Sequence, residues 1–241
     1  MTAENQQQVR LTQAYHLATT AQNFQLGSNV LASLSHLAVQ MDDARTAERL
    51  ALKGISQVTG SQAHAPHLVA RLHTMEGRAL AMQGKEREAR RALDAGESAL
   101  DSVGRGTRDS WLSGFDRASF AGEVALCTYD LQRYEDATQS AAEVIALRSA
   151  SDRVRSRILA SLTLANALAA LGDHAGAARV GIEIITAAPG LGSARAHSGL
   201  AQLRQRLSEQ SALPEVSEMN DRLAASAASA QIPEAQAEWS V

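Results

Sequence analysis

Cysteine, lysine and aromatic residues are almost missing from this 241-residue chain, and so is any excess of charge. A single cysteine, Cys127, excludes an internal disulfide and lends no support to an oxidising compartment. Aromatics make up only 3% of the residues, which argues against a β-sandwich or barrel. The net charge is −3, and Lys53 and Lys85 are the only lysines among well-mixed arginines and carboxylates. Such a surface offers no basic face on which phosphates could be neutralised, so direct nucleic-acid contact by these residues is not expected. No apolar run approaches the roughly 20 residues that span a bilayer, and Met1 to Gln8 is polar, unlike a secretory leader. The expectation is a soluble, cytoplasmic protein.

What the chain does have is alanine and leucine, within a hydrophobic content of 45% that suffices for a sizeable helical core. It also has a recurring local pattern. Met41-Asp42-Asp43-Ala44-Arg45-Thr46-Ala47, Gln83-Gly84-Lys85-Glu86-Arg87-Glu88-Ala89, Leu131-Gln132-Arg133-Tyr134-Glu135-Asp136-Ala137 and Leu171-Gly172-Asp173-His174-Ala175-Gly176-Ala177 each place a turn before an alanine. Twelve residues before that alanine stands another small residue: Ser35, Gly77, Ala125 or Ala165. Two small sites facing each other let the backbones of a helical hairpin cross closely.

This predicts hairpins of 24–40 with 43–59, 66–83 with 85–102, 111–131 with 134–149, and 152–171 with 174–187. A helix from Gln6 to Thr20 precedes them, bearing Val9, Leu11, Tyr15 and Leu17, with no partner helix before it. Another, from about 193 to 210, follows Pro189-Gly190-Leu191-Gly192 with Ser193 as its N-cap. The crossing alanines are 42, 48 and 40 residues apart, and the surplus over the tight repeat of about 34 falls in linkers such as Thr59 to Ala65 and Asp101 to Asp109. Residues 1–210 are therefore read as the array. Residues 211–241 are read as one short helix opened by Pro214, with Val216, Met219 and Leu223, and then a weakly ordered tail beyond about residue 226.

The small-residue pairs and glycine or aspartate turns resemble degenerate tetratricopeptide repeats, with leucine or alanine at most of the family's aromatic positions. Val30-Leu31-Ala32-Ser33-Leu34-Ser35-His36-Leu37-Ala38, Trp111-Leu112 with Phe115-Asp116, Cys127-Thr128-Tyr129-Asp130-Leu131 and Gly190-Leu191-Gly192-Ser193-Ala194-Arg195 are similar to the C-terminal region of actinobacterial XRE-type, lambda-repressor-like helix-turn-helix regulators. The resemblance implies an all-α right-handed superhelix, or solenoid, whose repeats sense a ligand or mediate assembly. That family's DNA-binding domain is absent ahead of residue 6, which is expected of a truncated regulator or a free-standing relative; the unpaired first helix favours truncation.

The repeat register would put the first helix of each hairpin on a concave face. It points to Asn29, His36 and Gln40; Arg71, Thr74, Arg78 and Met82; Ser119, Glu123, Leu126 and Tyr129; and Leu162, Asn166 and Ala169. Arginines and amides there could hold the carbonyls or a carboxylate of an extended peptide, and Asn166 offers both a donor and an acceptor. For each residue the alternative is a solvated helix position. His64, His67 and His73 lack an accompanying cysteine or carboxylate, so neither a metal nor another cofactor is expected. Cys127, among Val124, Leu126 and Leu131, reads as a buried small hydrophobe, and Trp111, Phe115 and Phe120 as a plug sealing a repeat junction. The Lys85 to Arg91 run, with Glu86 and Arg90 at helical spacing, reads as a solvated face.

No nucleophile elbow, phosphate loop or dinucleotide fingerprint is present, and Glu123 and Asp130 have no partner that spacing alone identifies, so an enzyme is not expected. Two roles remain: a regulatory module binding a peptide, small effector or protein partner, and a constitutive scaffold or homodimerisation module. The second would use the uncovered face of the first helix, at Val9, Leu11 and Tyr15, or the apolar side of the last.

Overall fold

In the computed structural model, which describes residues 3–60, 65–102, 114–148, 153–187 and 194–230, the chain is all-α, with eleven α-helices and no strand among the described residues. These are α1 (Ala3–Thr20), α2 (Phe24–Gln40), α3 (Ala44–Gly60), α4 (Pro66–Met82), α5 (Glu86–Asp101), α6 (Arg117–Asp130), α7 (Tyr134–Leu147), α8 (Val154–Ala170), α9 (His174–Ala187), α10 (Ala194–Arg206) and α11 (Pro214–Ala230). Within each of the chain's two compact units, the helices pack on neighbours in sequence and on the corresponding helix of the next hairpin, the pattern of a helical-repeat solenoid.

The helix ends follow one rule. α1, α2, α4, α6 and α8 each finish with a left-handed residue: Gln22, Asp42, Gly84, Gln132 and Gly172. The next amide then reaches back to the same carbonyl, as from Asp43 to Ala38 (2.9 Å), Lys85 to Leu80 (3.0 Å) and Asp173 to Leu168 (3.0 Å). This is a Schellman ending, in which orphan carbonyls of the last turn are satisfied by the chain as it reverses. At three of the turns the residue after the left-handed one also caps the next helix: the carboxamide or carboxylate of Asn23, Asp43 and Asp173 accepts from the amides of Leu26, Thr46 and Gly176.

The chain divides into two compact units, Met1–Arg133 and Tyr134–Val241. In the first, the small-residue crossings are direct. Ser35 and Ala47 are fully buried, and the Ser35 hydroxyl donates to the Ala47 carbonyl at 2.8 Å. A Cβ on Gly77 would stand 3.0 Å from a Leu93 methyl and 3.4 Å from the Ala89 carbonyl oxygen, so only hydrogen fits without adjustment. The core runs through Ala32, Val58, Leu68 and Leu72 between α2, α3 and α4. It continues at Leu80, Ala89, Ala92 and Cys127 between α4, α5 and α6. Phe115 and Phe120 are buried against Ala70, filling the junction ahead of α6; Trp111 lies outside the described residues. α6 starts at Arg117 because the Asp116 carboxylate accepts from the Ser119 amide (2.9 Å) and caps the helix there.

In the second unit, Ala165 and Ala177 are fully buried in one cluster with Ala178, Leu203, Leu207, Val216 and Met219. Residues of α11 thus share a core with α8, α9 and α10, and no core boundary falls at 210/211. Pro214 opens α11, and the helix continues to Ala230, past the expected loss of order at 226. The Ser193 cap and the tail beyond 230 lie outside the described residues. The helix expected to reach 210 stops at Arg206, followed by a 3-10 turn at Ser208–Gln210.

Two outcomes are expected in unfolding experiments. Ala89→Leu overfills the α4–α5 crossing and costs about 3 kcal/mol in urea titration, whereas Ser35→Ala loses one buried hydrogen bond and costs about 1 kcal/mol. The Asp43 carboxyl is held below its usual pKa by the Thr46 hydroxyl and amide. A depressed carboxyl stabilises the fold above the unfolded value of about 4 and ceases to do so as pH falls through the folded value. Melting temperature should therefore drop on acidification below about pH 4, and Asp43→Asn, which keeps the cap, should flatten that drop.

Candidate functional site

Three helices of the first unit, α2, α4 and α6, lie side by side, since α4 packs against both of the others. Each carries polar residues at spacings of three, four or seven, which places them on one stripe of the helix. On α2 these are Asn29, Ser33, His36 and Gln40; on α4, Arg71 and Arg78; on α6, Glu123 and Asp130.

The stripes meet through two arginines. Arg71 donates from Nη1 to Asn29 Oδ1 at 2.6 Å and from Nη2 to Ser33 Oγ at 3.1 Å. Arg78 donates from Nη1 to Asp130 Oδ2 at 2.6 Å, and its Nε stands 3.5 Å from Glu123 Oε2. That second contact is an ion pair without a hydrogen bond: Arg78 Nε and Glu123 Oε2 are both buried and neither finds a bonding partner. Glu123 Oε1 in turn lies 3.9 Å from His36 Nδ1. The row thus has two parts: Arg71 with Asn29 and Ser33 joins α4 to α2, and His36, Glu123, Arg78 and Asp130 run from α2 to α6 and α4.

Burial is uneven along this row. The Arg78 side chain is 10% exposed and Glu123 17%, against 28% for Asp130 and 37% for His36. Arg78 is thus the structural centre and the flanking groups reach solvent. Burial opposes the charge on Arg71, with Glu123 the through-space influence that favours it. Cys127 is fully buried behind Arg78, and burial pushes its thiol up to about 12, so at neutral pH it is a protonated packing group.

Of the residues expected to line this face, Asn29, His36, Arg71, Arg78 and Glu123 are brought together. Gln40 is exposed at the end of α2, and Met82, Leu126 and Tyr129 are half-buried. The Ser119 hydroxyl donates to Asp116 (2.8 Å) in the cap of α6. Thr74 is a correction: it is fully buried, donates to the Ala70 carbonyl (2.6 Å), and its oxygen lies 3.2 Å from where a Cβ on Gly96 would stand, so it faces α5. Asn166, Leu162 and Ala169 belong to the second unit. Asn166 donates to the Leu162 carbonyl of its own helix (2.8 Å), and Leu162 is a core residue against Ile184 and Leu200, not a lining one. Ala169 packs on the cluster around Ala177.

Two members of the row were passed over in the sequence. Ser33 follows Asn29 by four residues and Asp130 follows Glu123 by seven, and both spacings mark a shared helical stripe. The histidines diverge: His67 Nδ1 donates to the Phe115 carbonyl (2.9 Å), His73 Nδ1 is 3.0 Å from Glu76, and His64 lies outside the described residues. Among the described residues no group of histidine, cysteine or carboxylate side chains is placed to hold a metal ion, and no helix is long and apolar enough to cross a membrane. Comparison with known protein families and with curated proteins gives no match.

Removing Arg78 leaves two carboxylates facing each other without a cation. Arg78→Met is expected to cost about 3 kcal/mol in urea unfolding, and Asp130→Asn, which keeps an acceptor for Arg78, distinctly less.

Proposed function

We propose that the chain is a non-enzymatic regulatory module that binds a peptide, small effector or protein partner on the face shared by α2, α4 and α6. The observation that carries this reading is that two polar sets, Arg71 with Asn29 and Ser33, and His36 with Glu123, Arg78 and Asp130, occupy the stripes of the same three helices. A solvated helix surface has no need to aim charged groups from three successive first helices at one another. Such a row orients a ligand through fixed donors and acceptors, and its members move together when the angle between hairpins changes. The resemblance to the C-terminal region of lambda-repressor-like regulators supports placing the module in a bacterial transcription regulator, with DNA contact left to another domain. Coupling to DNA then requires that the ligand bind two arrangements of the hairpins with different affinity.

Hydrogen exchange tests the location. With a ligand that raises the melting temperature, amide protection is expected on α2 and α6 together with α4. Protection confined to α3 and α5 would overturn the reading.

A second reading, self-association, is favoured by α1, where Val9 is 50% and Leu17 71% exposed. Tyr15 is less free for it, because its ring lies under Lys53 Nζ (4.7 Å) and its hydroxyl donates to Gln57 (3.4 Å). Light scattering at high concentration separates the two: a dimer that Leu17→Glu dissociates supports the interface, and a strict monomer removes it.

A further inference from the structure

The two arginines of α4 are compensated very differently. Arg78 faces two carboxylates. Arg71, seven residues earlier on the same stripe, is hydrogen-bonded only to neutral groups, the Asn29 carboxamide and the Ser33 hydroxyl, with Glu123 felt only through space. Among the described residues, no carboxylate comes within ion-pair distance of it. Glu123 is already engaged by Arg78 and His36.

A half-buried guanidinium with no carboxylate in contact, and with Glu123 acting on it only through space, is costly, and a protein that needed only packing at this position would be better served by an apolar side chain. What Asn29 and Ser33 accomplish is to hold the group. They use one N–H on each terminal nitrogen, fix the plane of the guanidinium against α2, and leave three of its five donors free. A fixed plane with spare donors is suited to an oxyanion, whose two oxygens match the fork of the arginine. The rest of the row supplies direction. Seven residues of helix separate Arg71 from Arg78 by about 10 Å, and the acidic pair Glu123 and Asp130 surrounds the latter. An anion is therefore repelled from one end of the face and accepted at the other.

We propose that Arg71, oriented by Asn29 and Ser33, receives an oxyanion, a carboxylate or a phosphoryl group, carried by the ligand of the α2–α4–α6 face. This rests on the binding role proposed above and names the chemistry that the ligand must bring.

The test is titration of the full chain with sodium phosphate and, separately, sodium acetate at constant ionic strength, read from the arginine Nε–Hε resonances. Arg71 is expected to shift saturably, with a dissociation constant on the order of millimolar for the bare ion, while Arg78 stays in place. Saturation by acetate alone identifies a carboxylate, and by phosphate alone a phosphoryl group. Asn29→Asp preserves shape and sets a carboxylate against Arg71, so the variant should melt no lower than the natural chain and bind the ion at least about tenfold more weakly. Arg71→Met should remove saturation altogether. Linear, unsaturable shifts with both salts overturn the proposal, as does an Asn29→Asp variant that binds as the natural chain does. If neither anion binds but a ligand still protects α2, α4 and α6 from exchange, the oxyanion site falls and the binding face stands. If Arg71 saturates but no ligand protects that face, the reverse holds.

Discussion

Backbone proximity is the constraint on which the rest depends. Helices that cross with side chains of ordinary size stay 8–10 Å apart; those that cross at alanine, serine or glycine come closer and lose the freedom to rotate. The Ser35 hydroxyl bonded to the Ala47 carbonyl, and the slot at Gly77 where a methyl group would press on Leu93, show how little space is left. Once each crossing is locked, the outward stripe of every first helix is determined by counting residues from it. Asn29, Arg71 and Glu123 are six, six and two residues before their respective small sites at Ser35, Gly77 and Ala125, which is why α2, α4 and α6 present their polar residues to a common face.

That same counting explains what could be read from the amino-acid order. The α2–α3, α4–α5 and α8–α9 hairpins, the turns and the buried state of the crossing alanines follow from a short-range pattern that recurs, and recurrence is hard to mistake. The stripes on α2 and α4 follow from the 3.6-residue period. Thr74 shows the limit: it sits at an allowed angular position between two sides of α4, and only the presence of a glycine opposite, Gly96, drew it into the α4–α5 seam. Asp130 was missed for the opposite reason, since its partner is an arginine 52 residues away, across a hairpin whose register no local signal reveals. α11 outran its expected end because alanine and serine, which look featureless in composition, are adequate helix formers once Val216 and Met219 are anchored.

The polar row and the hydrophobic crossings are linked energetically. Arg78 lies between the crossing at Gly77 and the acidic groups of α6, so the ion pair is desolvated by the same packing that brings the helices together. A charge cluster placed on such a seam stabilises little on its own, but it makes the relative position of α4 and α6 sensitive to any neighbouring charge. Arg71, restrained by neutral groups one stripe position away, is where such a charge would be felt with least competition.

The turns carry one more implication. Five helices, α1, α2, α4, α6 and α8, reverse through the same left-handed ending, and each hands over to the next helix after three residues. The length of these turns is therefore fixed, because each ties the last turn of one helix to the first turn of the next. A single residue added to such a turn would rotate every following side chain of its helix by about 100° and dismantle the stripe it carries.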